Sequence, residues 1–410
     1  MSISSDFHRF LRWAVKLFSI LCLGCCGLVH SNTLEEPTIN GEKIRGVNLG
    51  GWLVLEKWIT PSVFNNVNAE DQWTFCQNLG ESEARRRLEQ HWNTWVTEDD
   101  IITLKNSGIN LVRIPLGHWE FSKKQGEPYF SGGLPYADKA VRWAKKHGLK
   151  VLIDIHTAPD SQNGFDNSGK QGNAQWLNVE GNFELSLEVV RLATQHFTQS
   201  EFQDTVIALQ PINEPASWAF DINRIVDFYH QSYQAIRQYS STLWVAFHDA
   251  FVDLYQWPDK VRSDWERVML DTHIYHCFVD ESLQASPNEH VANIRHDGDR
   301  VAYISQTIPV LTGEWSIDTT QCYNGYCRSN AMGPNDWDKP NAKDPNCNCG
   351  TEHNLDGFTP TYHAFLGAMG DVQMQAYERG AGWVYWNFKT ESNPVWNFML
   401  GMEKGWFPKR

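Results

Sequence analysis

The sequence predicts an α/β protein built as a single (β/α)8 barrel, and three observations support this prediction. Eight short runs rich in apolar and β-branched residues recur along the chain, and runs of this kind alternate with segments of helical periodicity. Neither an internal repeat nor a low-complexity linker divides the chain after its N-terminal segment. Because strands that alternate with helices form parallel sheets, eight of them in order predict a closed barrel, and 410 residues suffice for one.

The predicted elements follow one another from residue 44 onward. The predicted strands are 44–48, 109–114, 150–156, 205–212, 242–247, 268–275, 309–314 and 381–386. The clearest helical periodicities are 81–106, 136–147, 183–199, 222–239, 290–306 and 361–379. Gly108 and Gly148 stand just ahead of the second and third strands, where glycine is expected as the residue that ends a helix.

Residues 1–31 are predicted to be a secretory signal peptide. Arg9, Arg12 and Lys16 precede an uncharged apolar run, 17–29, which is too short to cross a bilayer comfortably. The alternative is a retained anchor that is acylated at Cys25 or Cys26. Cleavage would leave residues 32–410 as one secreted, extracellular domain without a membrane attachment.

Cysteine usage agrees with an oxidising destination. Six cysteines remain after the predicted signal peptide: Cys76, Cys277, Cys322, Cys327, Cys347 and Cys349. An even number in a secreted chain predicts disulfides, although the pairing cannot be chosen from sequence. Residues 319–356, dense in Asn, Gly, Pro, Asp and Cys, are expected to form a loop with two disulfides. A zinc cluster is the alternative, which the Cys-x-Cys spacing disfavours.

The composition limits the kind of partner. The formal net charge of -14 argues against nucleic acid and suits a neutral substrate. Only 20% of residues are charged, whereas 13% are aromatic, including 19 tryptophans. These tryptophans can be large core side chains or platforms on which sugar rings stack. The sequence does not determine the oligomeric state, for which a monomer is the expectation.

Polar or aromatic residues occupy the C-terminal end of every predicted strand. They are Asn48, Arg113, His156, Asn213 with Glu214, His248 with Asp249, His273 with Tyr275, Glu314 and Trp386. Active sites of (β/α)8 barrels collect at these strand ends. One polar strand end would be unremarkable in a barrel, but eight together predict an active site.

Two glutamates carry the chemical prediction. In residues 207–215 and 308–315, an apolar run leads into Glu214 and Glu314, respectively. Because a carboxylate is costly to bury, one that ends a buried strand tends to lie in a cleft. Two carboxylates converging from different strands are the minimum required to cleave a glycosidic bond, and retention needs them about 5–5.5 Å apart. Glu214, after Asn213, is assigned as acid/base. Glu314 is assigned as a nucleophile that Arg113 and Tyr275 keep ionised.

A metal centre is the competing interpretation of the histidines. His156 and His273 can each be a core histidine, and together they could bind a metal ion. However, the first strand has no His-x-His pair, and His273 and His276 point to opposite faces of their strand. We therefore predict neither a metal nor a cofactor.

At these residues the chain resembles glycoside hydrolase family 5, through Ile-Asn-Glu-Pro at 212–215. It is more closely similar to the fungal-type exo-β-1,3-glucanases (glucan 1,3-β-glucosidases) of that family. The shared segments are RGVNLGGWLVLE at 45–56, RIP at 113–115, SQNGFDNSG at 161–169, DTHIY at 271–275 with Phe278, GEW at 313–315 and GWVYW at 382–386. The similarity covers residues 42–408, but 322–349 cannot be aligned and the tail ends without a cysteine.

The resemblance implies a secreted retaining enzyme that releases glucose from the non-reducing ends of β-1,3-glucan, free or attached to the cell wall. It implies that Glu214 is the proton donor and Glu314 the nucleophile. The implied supporting residues are Arg113, His156, Asn213, His273 and Tyr275. The implied substrate-binding residues are Glu56 for the terminal hydroxyls, Asp166 and Asn167 in the wall, Phe165 and Phe278 around the next sugar, and Trp386 beneath the terminal ring. The alternatives are an endo-glucanase, a steryl β-glucosidase and a non-catalytic glucan-binding wall protein.

Overall fold

A closed barrel of eight parallel strands forms the centre of the computed structural model, which describes residues 34–320 and 354–409. The strands are β1 Ile44–Asn48, β2 Leu111–Leu116, β3 Lys150–Ile155, β4 Val206–Gln210, β5 Trp244–His248, β6 Val268–Ile274, β7 Val310–Trp315 and β8 Gly382–Tyr385. Each strand pairs with the next in sequence, and β8 pairs with β1. The predicted (β/α)8 barrel is therefore confirmed.

α-Helices connect successive strands except β5 and β6, between which lies a short 3₁₀ helix, Leu254–Gln256, and one further α-helix follows β8. The α-helices are α1 Gln72–Trp95, α2 Glu98–Asn106, α3 Leu134–His147, α4 Asn182–Phe197, α5 Ile222–Arg237, α6 Asp280–Leu283, α7 Pro287–Ile304, α8 Pro360–Tyr377 and α9 Phe398–Glu403. Gly148 has the left-handed conformation, with φ of 72°, and ends α3 as predicted. Among the helices that the structure describes, none combines the length and the apolar character needed to cross a membrane.

The segment 81–106, whose periodicity predicted helical structure, is helical but is divided between two helices. A first break, at Gly80 with φ of 71°, lies just ahead of the predicted segment, and a second break, between Trp95 and Glu98, lies within it. At the second break the Thr97 side chain accepts a hydrogen bond from the Asp100 backbone N–H, and the Asp100 carboxylate accepts one from the Thr97 backbone N–H. This capping box starts a new helix, because it satisfies backbone donors that a continuous helix would bond internally.

The barrel interior consists of an apolar layer below a polar layer. In five strands an apolar inward residue is followed two positions later by a buried polar one, since alternate side chains of a strand share a face. The pairs are Leu111 and Arg113, Leu152 and Asp154, Ala208 and Gln210, Ala246 and His248, and Met269 and Asp271. In β7 the equivalent position is Gly313, where a Cβ would come 2.0 Å from an Asp271 oxygen. The glycine thus leaves room for a buried carboxylate.

The cysteine prediction fails for the two cysteines that the structure describes. Cys76 and Cys277 are buried, and their thiols are free. Both pack within the apolar core, where burial raises the pKa of the Cys76 thiol to about 11 and that of Cys277 well above its usual value. The other four cysteines, most of the predicted loop at 319–356 and the predicted signal peptide lie outside the described residues.

Candidate active site

A cavity of about 1040 Å³ opens at the C-terminal ends of the strands. Ten of the predicted site residues line it: Glu56, Phe165, Asp166, Asn167, Glu214, His273, Tyr275, Phe278, Glu314 and Trp386. The other three, Arg113, His156 and Asn213, are fully buried. Arg113 donates to Glu314 and to Asn213, and the His156 ring stacks on Trp386. The structure therefore brings all of the predicted site residues together at one end of the barrel.

Glu314, in β7, is held by two donors. Its Oε1 lies 2.9 Å from Nη1 of Arg113, and its Oε2 accepts a 2.8 Å hydrogen bond from the Tyr275 hydroxyl. The Arg113 guanidinium has no exposure to solvent and also donates to Oδ1 of Asn48 at 2.8 Å and Oδ1 of Asn213 at 2.7 Å. With this many partners the guanidinium has little freedom to move, so the orientation of the Glu314 carboxylate is fixed.

Glu214 leaves β4 through an unusual backbone turn. Its φ is +44°, which is uncommon for a residue with a side chain and persists where surrounding structure enforces it. The Gln162 side chain enforces it here by donating to the carbonyls of His156, at 2.9 Å, and Asn213, at 3.0 Å. The turn leaves Glu214 facing the cavity, where Asn167 Nδ2 donates to its Oε2 at 3.1 Å.

His273 lies between the two glutamates. Its Nδ1 is 2.7 Å from Oε1 of Glu214 and 3.4 Å from Oε2 of Glu314. Those two oxygens can therefore be no farther apart than the sum of the two distances, 6.1 Å. Its Nε2 lies 3.2 Å from the Asp271 carboxylate. Burial lowers the pKa of His273, but the carboxylates of Glu314, Asp271 and Glu214 outweigh burial and raise it well above its usual value.

The two glutamates differ in proton affinity. Burial raises the pKa of both carboxyl groups. At Glu214 the hydrogen bond and charge of His273 outweigh burial, so its pKa lies below the usual value. At Glu314 burial outweighs the charges of His273 and Arg113, so its pKa lies above the usual value. This order is opposite to the one that the sequence-based roles require while a substrate is bound.

Glu56 gives the cavity a polar contact, whereas Trp386 gives it an apolar one. Glu56 is 4% exposed, its Oε2 accepts a 3.0 Å hydrogen bond from the Trp58 indole, and within the described residues its Oε1 has no hydrogen-bond partner. Burial, followed by the charges of Asp166 and Glu314, raises the Glu56 pKa well above its usual value. The Trp386 ring stacks on His156, with centroids 5.5 Å apart and planes within 7°. The site thus offers a buried hydroxyl partner and a flat apolar surface.

Sequence analysis missed three contributors to the site. Asp154 and Asp271 stand two residues before His156 and His273 on the same strand face, and each accepts a hydrogen bond from that histidine. Strand periodicity could have identified both. Trp396 also lines the cavity and packs 5.3 Å from Tyr275, but it follows β8 at a distance in sequence that no local pattern marks.

One set of side chains has donor spacing that would suit a metal ion. Within the part of the chain that the structure describes, ligand atoms of Glu214, His248 and His273 lie within 4.8 Å of one another. A histidine must be deprotonated to bind a metal, whereas both nitrogens of His273 face carboxylates and its pKa is raised. The arrangement therefore favours hydrogen bonding, and a metal-free mechanism remains our prediction.

Comparisons with known proteins agree with this geometry. The family model for cellulase (glycosyl hydrolase family 5) matches residues 68–335. Glucan 1,3-beta-glucosidase 1 of Schizosaccharomyces pombe is 35% identical over 378 residues, covering 90% of this chain and 88% of that protein. Glucan 1,3-beta-glucosidase of Blumeria graminis is 36% identical over 398 residues, covering 93% and 91%.

A solved structure shows the same fold. The rutinosidase from Aspergillus niger superimposes with a TM-score of 0.72 at 21% identity, covering 91% of this chain and all of that one. At this identity the likeness concerns the fold alone. The extent of the sequence matches establishes that the chain is a glycoside hydrolase that belongs to glycosyl hydrolase family 5 and is similar there to the glucan 1,3-beta-glucosidases.

Proposed function

We propose that the protein is a secreted, exo-acting β-1,3-glucosidase that retains anomeric configuration through a covalent glucosyl-enzyme. The separation of the two glutamates is the observation that carries this proposal. Their facing oxygens are at most 6.1 Å apart, which fits the retaining spacing of about 5–5.5 Å and is shorter than the inverting range of about 6.5–9.5 Å. Room for a water between carboxylate and sugar, which inversion requires, is lacking at that spacing.

Glu314 is the nucleophile in this proposal. In the first step its carboxylate bonds to the anomeric carbon while Glu214 gives its proton to the departing glycosidic oxygen. In the second step Glu214 takes a proton from a water, whose oxygen displaces Glu314 from the sugar. Two inversions at one carbon give net retention.

The donors around each carboxylate support this division of roles. Arg113, which touches Glu314, keeps its positive charge at any pH at which the protein is folded. The charge beside Glu214 belongs instead to His273, which can itself transfer a proton across the 2.7 Å hydrogen bond. A proton shared by His273 and Glu214 can therefore reach the leaving oxygen from Glu214, although the directions of the two pKa shifts favour its location on His273. The fixed cation stabilises Glu314 as an anion.

The floor of the site has two atoms suited to a sugar hydroxyl. Within the described residues, Nδ2 of Asn213 and Nε2 of His156 are buried without a hydrogen-bond partner. Oδ1 of Asn213 already accepts a hydrogen bond from Arg113, and Nδ1 of His156 is hydrogen-bonded to Asp154. Because an unpaired buried polar atom is costly, both atoms are expected to pair with hydroxyls of the bound sugar.

Loop contacts at one end of the cavity support exo action. The segment after β8 is hydrogen-bonded to the segment after β1: the Glu391 N–H donates to the Ile59 carbonyl at 3.0 Å, and Asn393 Nδ2 donates to the Trp58 carbonyl at 2.9 Å. The joined loops carry Trp58, Trp396 and Glu56 along the cavity. A wall of this kind admits the end of a glucan chain, with Glu56 Oε1 available to its terminal hydroxyls.

Other observations support the proposed substrate and the proposed secretion of the protein. Both similar relatives carry the name glucan 1,3-beta-glucosidase, which supports β-1,3-glucan as the substrate. The basic and apolar pattern of residues 1–31 supports secretion.

Product analysis on laminarin tests both the mode of attack and the stereochemistry. Free glucose from the earliest time points, released as the β-anomer in proton NMR, is the expected result. A ladder of oligosaccharides would refute exo action, and the α-anomer would refute retention. Glucose from a steryl glucoside but not from laminarin would refute the assigned substrate.

A further inference from the structure

Three exposed aromatic side chains adjoin one another at the mouth of the cavity. Trp218 is 60% exposed, and its ring lies 6.0 Å from the Phe165 ring and 4.8 Å from the Phe251 ring. Phe165 and Phe251 are each 41% exposed and line the cavity, whereas Trp218 extends outward between them. We call these three residues the aromatic rim. Clusters of exposed large apolar side chains on soluble proteins usually mark a binding surface.

The backbone of the rim is held in place although its side chains face solvent. The Ala216 N–H donates to the Gln162 carbonyl at 3.0 Å, and the N–H groups of Ala219 and Phe220 donate back to the Ala216 carbonyl. Phe220 is buried against Trp176. The turn that carries Trp218 is therefore anchored on both sides, so the indole is presented at a defined position.

The rim lies on the leaving-group side of the site. Trp218 stands four residues after Glu214 in the same loop, and Asn167, which donates to Glu214, stands two residues after Phe165. The acid/base must face the glycosidic oxygen, so the departing part of the substrate extends past Glu214. A chain that leaves in this direction crosses Phe165 first and then reaches Trp218.

We propose that Trp218 binds a sugar of the departing glucan chain beyond the one held at Phe165, and so makes the enzyme prefer longer chains. This inference rests on the proposed function and deepens it. Sugar rings have apolar faces that cover aromatic rings, while their hydroxyls need polar neighbours. Asp166 and Asn167, beside Phe165, are such polar neighbours, and a lipid would cover these polar groups with hydrocarbon.

The test compares kcat/KM for laminari-oligosaccharides of two to six sugars with kcat/KM for p-nitrophenyl β-glucoside. Trp218→Ala should lower the ratio of kcat/KM for laminaripentaose to kcat/KM for the aryl glucoside by roughly two- to tenfold, in the range expected for one lost aromatic contact. The corresponding ratio for laminaribiose should fall less. Trp218→Phe should restore part of the loss. Tyr303→Ala is the matched control, since Tyr303 is also 60% exposed but does not line the cavity.

Binding measured without turnover separates the two proposals. In the Glu314→Ala background, calorimetry should show weaker laminaripentaose binding when Trp218→Ala is added. An unchanged affinity, or equal losses of kcat/KM on every substrate, would overturn the role of Trp218. If the pentaose binds through Trp218 but the parent enzyme does not hydrolyse it, the proposed function fails and the binding site remains.

Discussion

Separate removal of the two glutamates distinguishes their roles more sharply than any other change. Glu214→Ala removes the proposed acid, and general acid catalysis is worth about 10²- to 10⁴-fold when the leaving group needs a proton. The kcat/KM for laminaribiose should fall by that amount. With 2,4-dinitrophenyl β-glucoside, whose leaving group departs as a stable anion, formation of the glucosyl-enzyme should be affected far less. Glu314→Ala should abolish hydrolysis of both substrates, because it removes the attacking atom.

The structure indicates that both variants keep their fold. In Glu314→Ala the Arg113 guanidinium retains Asn48 and Asn213 as hydrogen-bond acceptors and an ion pair with Asp154 at 3.1 Å. In Glu214→Ala the donors of His273 and Asn167 face an open cavity, where water can replace the lost carboxylate. The melting temperature and the binding of laminaripentaose to Glu314→Ala are the corresponding controls.

Azide provides the decisive assay, because a small anion can occupy the space that the missing carboxylate leaves. Glu214→Ala still forms the glucosyl-enzyme, so azide should attack it and yield the β-glucosyl azide. Glu314→Ala lacks that intermediate, so azide in place of the nucleophile should yield the α-glucosyl azide. The reverse pattern would show that the roles follow the order of the pKa shifts, in which Glu314 holds a proton more tightly than Glu214.

Two further predictions concern single residues. Glu56→Ala should lower kcat/KM roughly tenfold to a hundredfold, on laminarin and p-nitrophenyl β-glucoside alike, because the terminal glucose loses its hydrogen bonds to a buried carboxyl group; a loss confined to laminarin would contradict this position. His91 donates from Nε2 to the Gly51 carbonyl at 2.8 Å, and burial lowers its pKa from 6.5 to about 4. Since the unfolded chain takes up this proton first, acidification from pH 6.5 to 4 should cost about 3 kcal/mol of stability at this residue. The melting temperature of His91→Gln should accordingly fall less steeply over that range, and an unchanged slope would contradict the assignment.

The sequence predicted the barrel and the position of its site because both depend on short-range patterns. Runs of apolar residues indicate strands whichever helices pack on them. The polar residue after each run indicates the C-terminal end of the strand, where the active site of a barrel lies. Glu214 and Glu314 are 100 positions apart, yet each was identifiable from its own strand. Their shared neighbour, His273, was identifiable in the same way.

Features that depend on contacts between distant segments were not predictable. Cys76 and Cys277 belonged to the even number of cysteines from which disulfides were predicted, but only the packed core shows that both thiols are enclosed. Trp396 reaches the cavity because its indole donates to the Asp318 carboxylate at 2.9 Å, a contact across 78 positions. The aromatic rim likewise joins three loops, so no single segment indicates it.

The charges beneath the cavity explain why so many ionisable groups are buried in one place. Four carboxylates meet two cations there: Glu214, Glu314, Asp154 and Asp271 surround Arg113 and His273. With all of them ionised, the cluster carries two negative charges in excess. Burying charged groups without compensation is costly. Here a network of hydrogen bonds compensates for their burial and fixes each group before substrate arrives. Positive charge develops on the sugar as the glycosidic bond breaks, so the excess negative charge stabilises the transition state more than the neutral ground state, which is the condition for catalysis.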